Sequence, residues 1–272
     1  MPAEVMTHYS QGAYEQDRIT QGPGRLELAR TQEVVRRHLP ARRLRILDVG
    51  GAAGVHARWL AADGHDVHLI DPVPLHVEQA QAAAAAGDPF TAVLGDARRL
   101  DHPDGAFDAV LLLGPLYHLI ERADRIQALA EARRVVQGGG VVFVAAISRF
   151  ASLLDGLSRG FLFDPEFRAI VARDLADGEH RNPTERPGWF TTAYFHHPDE
   201  LEAEARAAGL VVRELIGVEG LAGWLRELDG RWDDAGDRQT ILHSARVVEN
   251  EPALRGLSAH LLLVAERAQR EK

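Results

Sequence analysis

Cysteine is absent from this 272-residue chain. That absence excludes disulfides, thiolate metal sites and a cysteine nucleophile in one step. Aromatic residues make up only 6%, so any aromatic-rich segment stands out against the rest. No uninterrupted apolar run approaches bilayer-spanning length, and the amino terminus lacks a basic-then-apolar signal pattern. The expectation is a cytoplasmic protein with no membrane partner. Positive charge is in deficit: 31 Lys and Arg against 40 Asp and Glu give a formal net charge of −9. Duplex binding depends largely on phosphate neutralisation, so this balance points away from nucleic acid. Basic pairs such as Arg36-Arg37 and Arg42-Arg43 read as short solvated faces. Internal repeats and low-complexity linkers are also missing. What is present is 46% hydrophobic content, ample for a core.

The chain is organised around the stretch from Leu44 to Pro72, LRILDVGGAAGVHARWLAADGHDVHLIDP. Arg45 to Val49 is a strand-like run, and Gly50-Gly51 breaks it where a parallel strand must turn sharply into a helix. Val55, Trp59 and Leu60 share one helical face, and Gly64 closes that helix. Asp66 to Ile70 resumes strand character, with Asp71 at its carboxyl end. In doubly wound sheets ligands sit beyond the carboxyl ends of the strands, where a carboxylate placed like Asp71 can accept two ribose hydroxyls.

The glycine spacing discriminates between nucleotides. A dinucleotide fingerprint needs Gly at the first, third and sixth positions, whereas counting from Gly50 gives Ala52 and Val55. The pattern Asp48-x-Gly50-x-Ala52-x-Gly54 instead resembles the first motif of class I S-adenosylmethionine (SAM) methyltransferases. Ala52 stands where that family has its middle glycine; a methyl there is compatible with close approach if φ is negative. SAM has no pyrophosphate to cradle but carries a sulfonium and an amino-acid tail, so an acid such as Asp48 is tolerable beside the turn. A glycine turn used only for packing is the competing reading of this motif by itself.

Further along, Thr91 to Leu94 is a short strand followed by Gly95-Asp96-Ala97. The resemblance implies an adenine-binding turn here, with Asp96 taking the exocyclic amine and the Ala97 amide a ring nitrogen. Phe107 to Leu113 is a near-continuous apolar run, as expected for a central strand buried on both faces, and Leu113 at its end joins the cofactor-binding candidates. Gly114-Pro115-Leu116-Tyr117-His118-Leu119 follows. It looks like the GPLYHL stretch of bacterial small-molecule methyltransferases, which implies that Tyr117 and His118 face the methyl group, with His118 available as a base. A core histidine bonded to a backbone carbonyl is the alternative for His118. Amide or acid groups that would orient a base amine are missing from this edge, and Asp108 is the only acid nearby, so no metal site is expected.

Glu121 to Gln137 reads as a helix stopped by Gly138-Gly139-Gly140, and Val141 to Ile147 as another buried strand. From Ser148 to His197 the βαβ rhythm stops, and six of the nine phenylalanines lie there. Such an insertion suits a helical lid over a substrate pocket. Most of its aromatics are expected to form the lid's own small core; Trp189, Tyr194, His196 and His197 are the candidates for contact with the acceptor. Leu210 to Val218 and Ala259 to Ala265 read as the closing strands, the last one antiparallel through a short non-crossover connection.

The expectation is therefore an α/β fold with a doubly wound, mostly parallel seven-stranded sheet, an antiparallel last strand and a helical lid insertion. It forms a single domain comprising an amino-terminal arm and helix (1–40), a SAM-binding core (41–147), the lid (148–197) and the rest of the sheet (198–272). The resemblance implies a SAM-dependent methyltransferase acting on O, N or C of a small, partly apolar acceptor, as a monomer or homodimer. The rivals are a SAM-binding protein without turnover, an RNA methyltransferase and an NAD-dependent oxidoreductase.

Overall fold

The computed structural model describes residues 19–269 apart from 88, 185 and 187. Most of the arm expected over residues 1–40 lies outside the described residues; its helix is α1 (Pro23–His38). The strands β1 (Arg45–Val49), β2 (Asp66–Asp71), β3 (Thr91–Leu94), β4 (Phe107–Leu112) and β5 (Val136–Ser148) are parallel neighbours in the order β3, β2, β1, β4, β5. Two short strands follow, β6 (Glu179–His180) and β7 (Ala193–His196). After them, β8 (Val211–Gly217) and β9 (His260–Glu266) complete the sheet, with β9 antiparallel to both β5 and β8. All seven expected strands are thus present, the last one antiparallel.

Side-chain alternation along the strands divides the interior into two cores, because successive residues point to opposite faces. Leu47, Val110, Leu112, Val142, Val144, Leu261 and Leu263 face one side and pack on Leu129 and Val135 of α4 (Arg122–Val135) and Leu201 of α7 (Pro198–Ala207). Ile46, Leu111, Phe143, Leu262 and Val264 face the other side. They are covered by α1, α2 (Val55–Ala62) and α3 (Pro74–Ala86). Burying both faces is what a parallel sheet requires, and each fully buried leucine contributes roughly 1.5–3 kcal/mol.

Three local expectations are corrected. The three glycines after α4 do not stop it; the helix ends at Val135, and Gly138 to Gly140 lie within β5. They kink the strand instead: Gly139 has φ +78, and a Cβ on Gly140 would stand 2.6 Å from the Asp108 carbonyl. The register between β4 and β5 shifts there, as at a bulge. The segment 148–197 is not purely helical, since α5 (Ala151–Arg159) and α6 (Pro165–Asp177) are followed by the β6–β7 pair. β7 extends the sheet by pairing with Ile147 and Ser148 of β5, past the point where β4 ends. Lastly, β9 is reached through a long connection, residues 218–259, which carries α8 (Leu228–Trp232) and α9 (Ala235–Val248). Among the described residues no helix is long and apolar enough to cross a membrane.

Candidate active site

Two turns meet at the carboxyl edge of the sheet. After β1, Gly50 adopts φ +71, and a Cβ there would stand 2.7 Å from Pro115 Cδ; after β4, a Cβ on Gly114 would stand 2.8 Å from the Gly50 carbonyl. Only glycine lets these two backbones approach so closely. Gly54, at φ +88, caps α2 and abuts Phe90 rather than the cavity.

Ala52 departs from the sequence expectation, for its φ is +47. Its amide donates to Asp71 Oδ2 (3.0 Å), which holds this residue in the left-handed region. An L-residue there carries roughly 1–2 kcal/mol of strain, partly offset by glycine's greater unfolded-state entropy. Ala52→Gly should therefore be neutral or stabilising by up to about 1 kcal/mol, where the same change in an ordinary helix costs about that much. Denaturant unfolding checks it: a loss above about 1 kcal/mol would show that packing of the methyl outweighs backbone strain.

Asp71 ends β2 and is buried. Besides Ala52, its carboxylate accepts from the Val73 amide (2.9 Å) and lies 3.1 Å from His76 Nδ1. Asp48, 1% exposed, is different: neither carboxylate oxygen has a hydrogen-bond partner of good geometry. Burial, and then the negative charge of Asp71, push its carboxyl up to about 7, with the Ala57 amide giving only slight relief.

Asp48, Gly50, Ala52, Asp71, Leu113, Tyr117 and His118, singled out at separate points of the sequence, all line one inner cavity. Glu27, Asp48 and Asp71 supply three carboxylates to its wall, and among the described residues no Lys or Arg lines it. Such a site repels pyrophosphate and suits a cation, which favours SAM over a dinucleotide. The open volume is about 90 Å³, small beside the 300–1,000 Å³ usual for ligand sites. Asp96 and Ala97 line a separate small recess with Gly50, Pro72 and Pro115. The Asp96 carboxylate is engaged by Arg98 at 2.6 Å, which with the Arg98 amide holds it below the usual range. An adenine amine would share Asp96 with that guanidinium.

A second cavity of about 780 Å³ adjoins the first, and Tyr117 borders both. Its walls include Phe167, Trp189, Phe190 and Phe195 from residues 148–197 and Trp224, Leu225 and Leu228 from the connection before β9. His118 borders only the inner cavity; it is 3% exposed, with Nδ1 3.4 Å from the Thr192 carbonyl and its ring stacked against Phe190.

Of the four residues expected to touch the acceptor, Trp189 lines the outer cavity while packing on Phe167. Tyr194, His196 and His197 line neither cavity. His197 caps α7 and packs against Phe150. His196 is fully buried against Glu204 (3.2 Å), and Tyr194 lies over the Arg125 guanidinium at 3.6 Å. Local sequence placed these residues near the return to the sheet, but it could not show that α4 and α7 close over them.

Sequence reasoning also missed His260, Glu219 and Glu27, which gather at the junction of the two cavities. The available signal was topological. The first residue of an antiparallel strand reaches the same edge as the last residues of its parallel neighbours.

Comparison with known proteins agrees with this geometry. The family model described as "Methyltransferase domain" matches residues 46–140. The chain is 32% identical over 199 residues to the ubiquinone biosynthesis O-methyltransferase of Azorhizobium caulinodans, spanning 73% of this chain and 69% of that one. An uncharacterized methyltransferase of Mycobacterium tuberculosis is 33% identical over 129 residues, 47% of this chain and 46% of its own. In fold, the chain is similar to a SAM-dependent methyltransferase from Mesorhizobium loti, with a TM-score of 0.60 and 16% identity over 89% of this chain and 100% of that one. The protein belongs to the class I SAM-dependent methyltransferases, Rossmann-like enzymes that use SAM as the methyl donor.

Proposed function

We propose that this methyltransferase acts on a hydroxyl oxygen of a small, partly apolar aromatic acceptor held in the outer cavity. The observation that carries the reading is that cavity itself: about 780 Å³, with an aromatic and aliphatic patch of Phe167, Trp189, Phe190, Phe195 and Trp224 set among polar groups such as Asp155, Arg159 and Asp229, and joined to the inner cavity at Tyr117. The A. caulinodans relative, by its name an O-methyltransferase of ubiquinone biosynthesis, supports oxygen as the atom methylated.

When bound, SAM supplies a methyl group already activated on a sulfonium. The chain's own residues then have mainly to bind and align, since positioning can supply much of the rate. In this reading Asp48 faces the cationic amino-acid tail, and Gly50, Ala52 and Gly54 shape the turn around it. Asp71 holds the ribose, with Asp96, Ala97 and Leu113 about the adenine. Tyr117 and His118 border the methyl, and Trp189 borders the acceptor. The whole chain acts as one domain, with residues 148–197 closing over the acceptor. We place it in the cytoplasm, as a monomer or homodimer with no nucleic-acid partner.

Incubation with SAM and a 4-alkylcatechol should give a mono-methyl ether and S-adenosylhomocysteine in equal amounts by mass spectrometry. Tight SAM binding with no methylation across a panel of catechols and phenols would refute the acceptor class.

A further inference from the structure

We propose that Ser152 donates a hydrogen bond to a second oxygen of the acceptor, beside the hydroxyl that is methylated, and so selects both the acceptor and the hydroxyl that reacts. The proposal rests on the O-methylation reading above. A helix at a protein surface normally turns its apolar side inward and its polar side to water. α5 does the reverse. Ser152, Asp155 and Arg159 fall on one of its faces and line the outer cavity, while Leu157 on the other side is 61% exposed. Polar groups turned toward a cavity with aromatic walls are suited to fixing the orientation of a ligand.

Ser152 is the most buried of the three, at 7% exposed, and stands in the first turn of α5 beside Ala151. Ala151 and Ile147 pack in one cluster with Tyr117, the side chain that borders both cavities. Ser152 therefore lies toward the cofactor end of the outer cavity, where the acceptor ring must sit for its hydroxyl to reach the methyl group.

The Ser152 hydroxyl rests against a buried pair, His180 of β6 and Asp174 of α6, each no more than 1% exposed. His180 Nε2 lies 2.7 Å from the Trp189 carbonyl, which can only accept, so Nε2 carries a hydrogen. His180 Nδ1 lies 2.9 Å from Asp174 Oδ2. A carboxylate facing a bare nitrogen lone pair at that distance would be repelled, so a proton lies between the two, whichever of them it is bonded to. Nδ1 is thereby spent on Asp174, and Ser152 Oγ, at 3.4 Å, stands outside that bond. Oγ has no other hydrogen-bond partner among the described residues. Its proton is left for whatever enters the cavity, and an oxygen acceptor placed there satisfies it.

Ser, His and Asp also compose the hydrolytic triad, in which serine and aspartate take opposite nitrogens of the ring. Here both approach Nδ1, and the Trp189 carbonyl occupies Nε2. The imidazole has no free nitrogen with which to activate Ser152, so the serine is a binding group and not a nucleophile.

The test uses the full-length enzyme with S-adenosylhomocysteine bound and two probes of matched shape, 4-butylcatechol and 4-butyl-2-methylphenol, in which a methyl replaces the second hydroxyl. Calorimetry on the wild type should show the catechol bound about three- to ten-fold more tightly, the worth of one neutral hydrogen bond. Ser152→Ala should bring the two affinities level by weakening the catechol alone, with SAM affinity unchanged within about two-fold. A residue that merely supported the cavity wall would weaken both probes alike. Turnover gives a second readout: the wild type should yield one mono-methyl ether of 4-butylcatechol in large excess, and Ser152→Ala a mixture of the two. Should Ser152→Ala fail to fold, Ser152→Cys, close in shape but with only a weak S–H donor, takes its place with the same expected loss of preference. Equal affinities of the wild type for the two probes overturn the proposal. So does a folded variant that keeps the preference for the catechol, or that weakens both probes equally. If the wild type binds SAM but methylates neither probe, the O-methylation reading fails first and takes this one with it.

Discussion

Asp48→Asn should make the ligand-free protein more stable and weaken its hold on SAM. Asp48 is buried beside Asp71 with neither oxygen well bonded, and its carboxyl titrates at about 7 instead of 3.8. In the unfolded chain the group ionises near pH 4, whereas the folded protein keeps the proton until about pH 7. Ionisation therefore opposes folding increasingly from about pH 4 to 7 and fully above that, by an amount on the order of a few kcal/mol. Asparagine removes this cost but leaves a buried amide to satisfy, worth about 1–3 kcal/mol, so the net gain at pH 8 should be about 1–2 kcal/mol. That corresponds to roughly 2–8 °C in Tm, and on acidification toward pH 4, where the wild-type carboxyl is protonated, the gap should close and then reverse. SAM affinity should fall about ten- to a hundred-fold, through loss of a charge-assisted bond to the cationic tail. Calorimetric melts and titrations between pH 4 and 8 check both halves. Equal melting temperatures at pH 8 would show that Asp48 carries no burial penalty.

The opposite outcome is expected at Arg125. Its Nε and Nη2 donate to Glu204, and its Nη1 donates to the Leu119 and Ile120 carbonyls; arginine and glutamate are both almost fully buried. Burial alone would raise the Glu204 carboxyl, but hydrogen bonds from His196 and Arg125 outweigh it and hold it at about 2. Arg125→Met leaves that buried carboxylate with only His196 at 3.2 Å and the exposed Arg122 at 3.7 Å, so it should cost about 3 kcal/mol, roughly 6–12 °C in Tm. The double variant Arg125→Met, Glu204→Met should recover part of the loss, because an apolar pair needs no charge compensation. Since folding lowers the carboxyl pKa, the wild type gains this stability above about pH 4.5 and loses it as pH falls toward 2. The Arg125→Met deficit should shrink over the same range. Differential scanning calorimetry across pH 2 to 7 measures it. A single-variant loss below about 1 kcal/mol would show that Arg125 is replaceable packing.

The strand, turn, helix, strand and acid of residues 44–72 were readable in order, because those contacts are made within one βαβ unit. The turn from Asp48 to Gly54 and the acid Asp71 lie close in sequence, and parallel pairing of β1 with β2 sets them side by side. Near-continuous apolar runs at Phe107 to Leu113 and Val141 to Ile147 likewise announced strands buried on both faces. The φ of Ala52 was not readable, since its sign follows from the hydrogen bond to Asp71. Nor was the fate of the aromatic insertion: Trp189 faces the outer cavity while Tyr194 and His196 are drawn into the Arg125 and Glu204 network, across 79 residues of chain. Glu219 and His260, 41 residues apart, meet only because β9 turns back against β5 and β8. Local chain geometry made the turn and acid of the inner cavity legible in the sequence alone; strand order and direction decided which distant polar groups gather where the two cavities meet, because sheet pairing, and no spacing in the sequence, brings them to one edge.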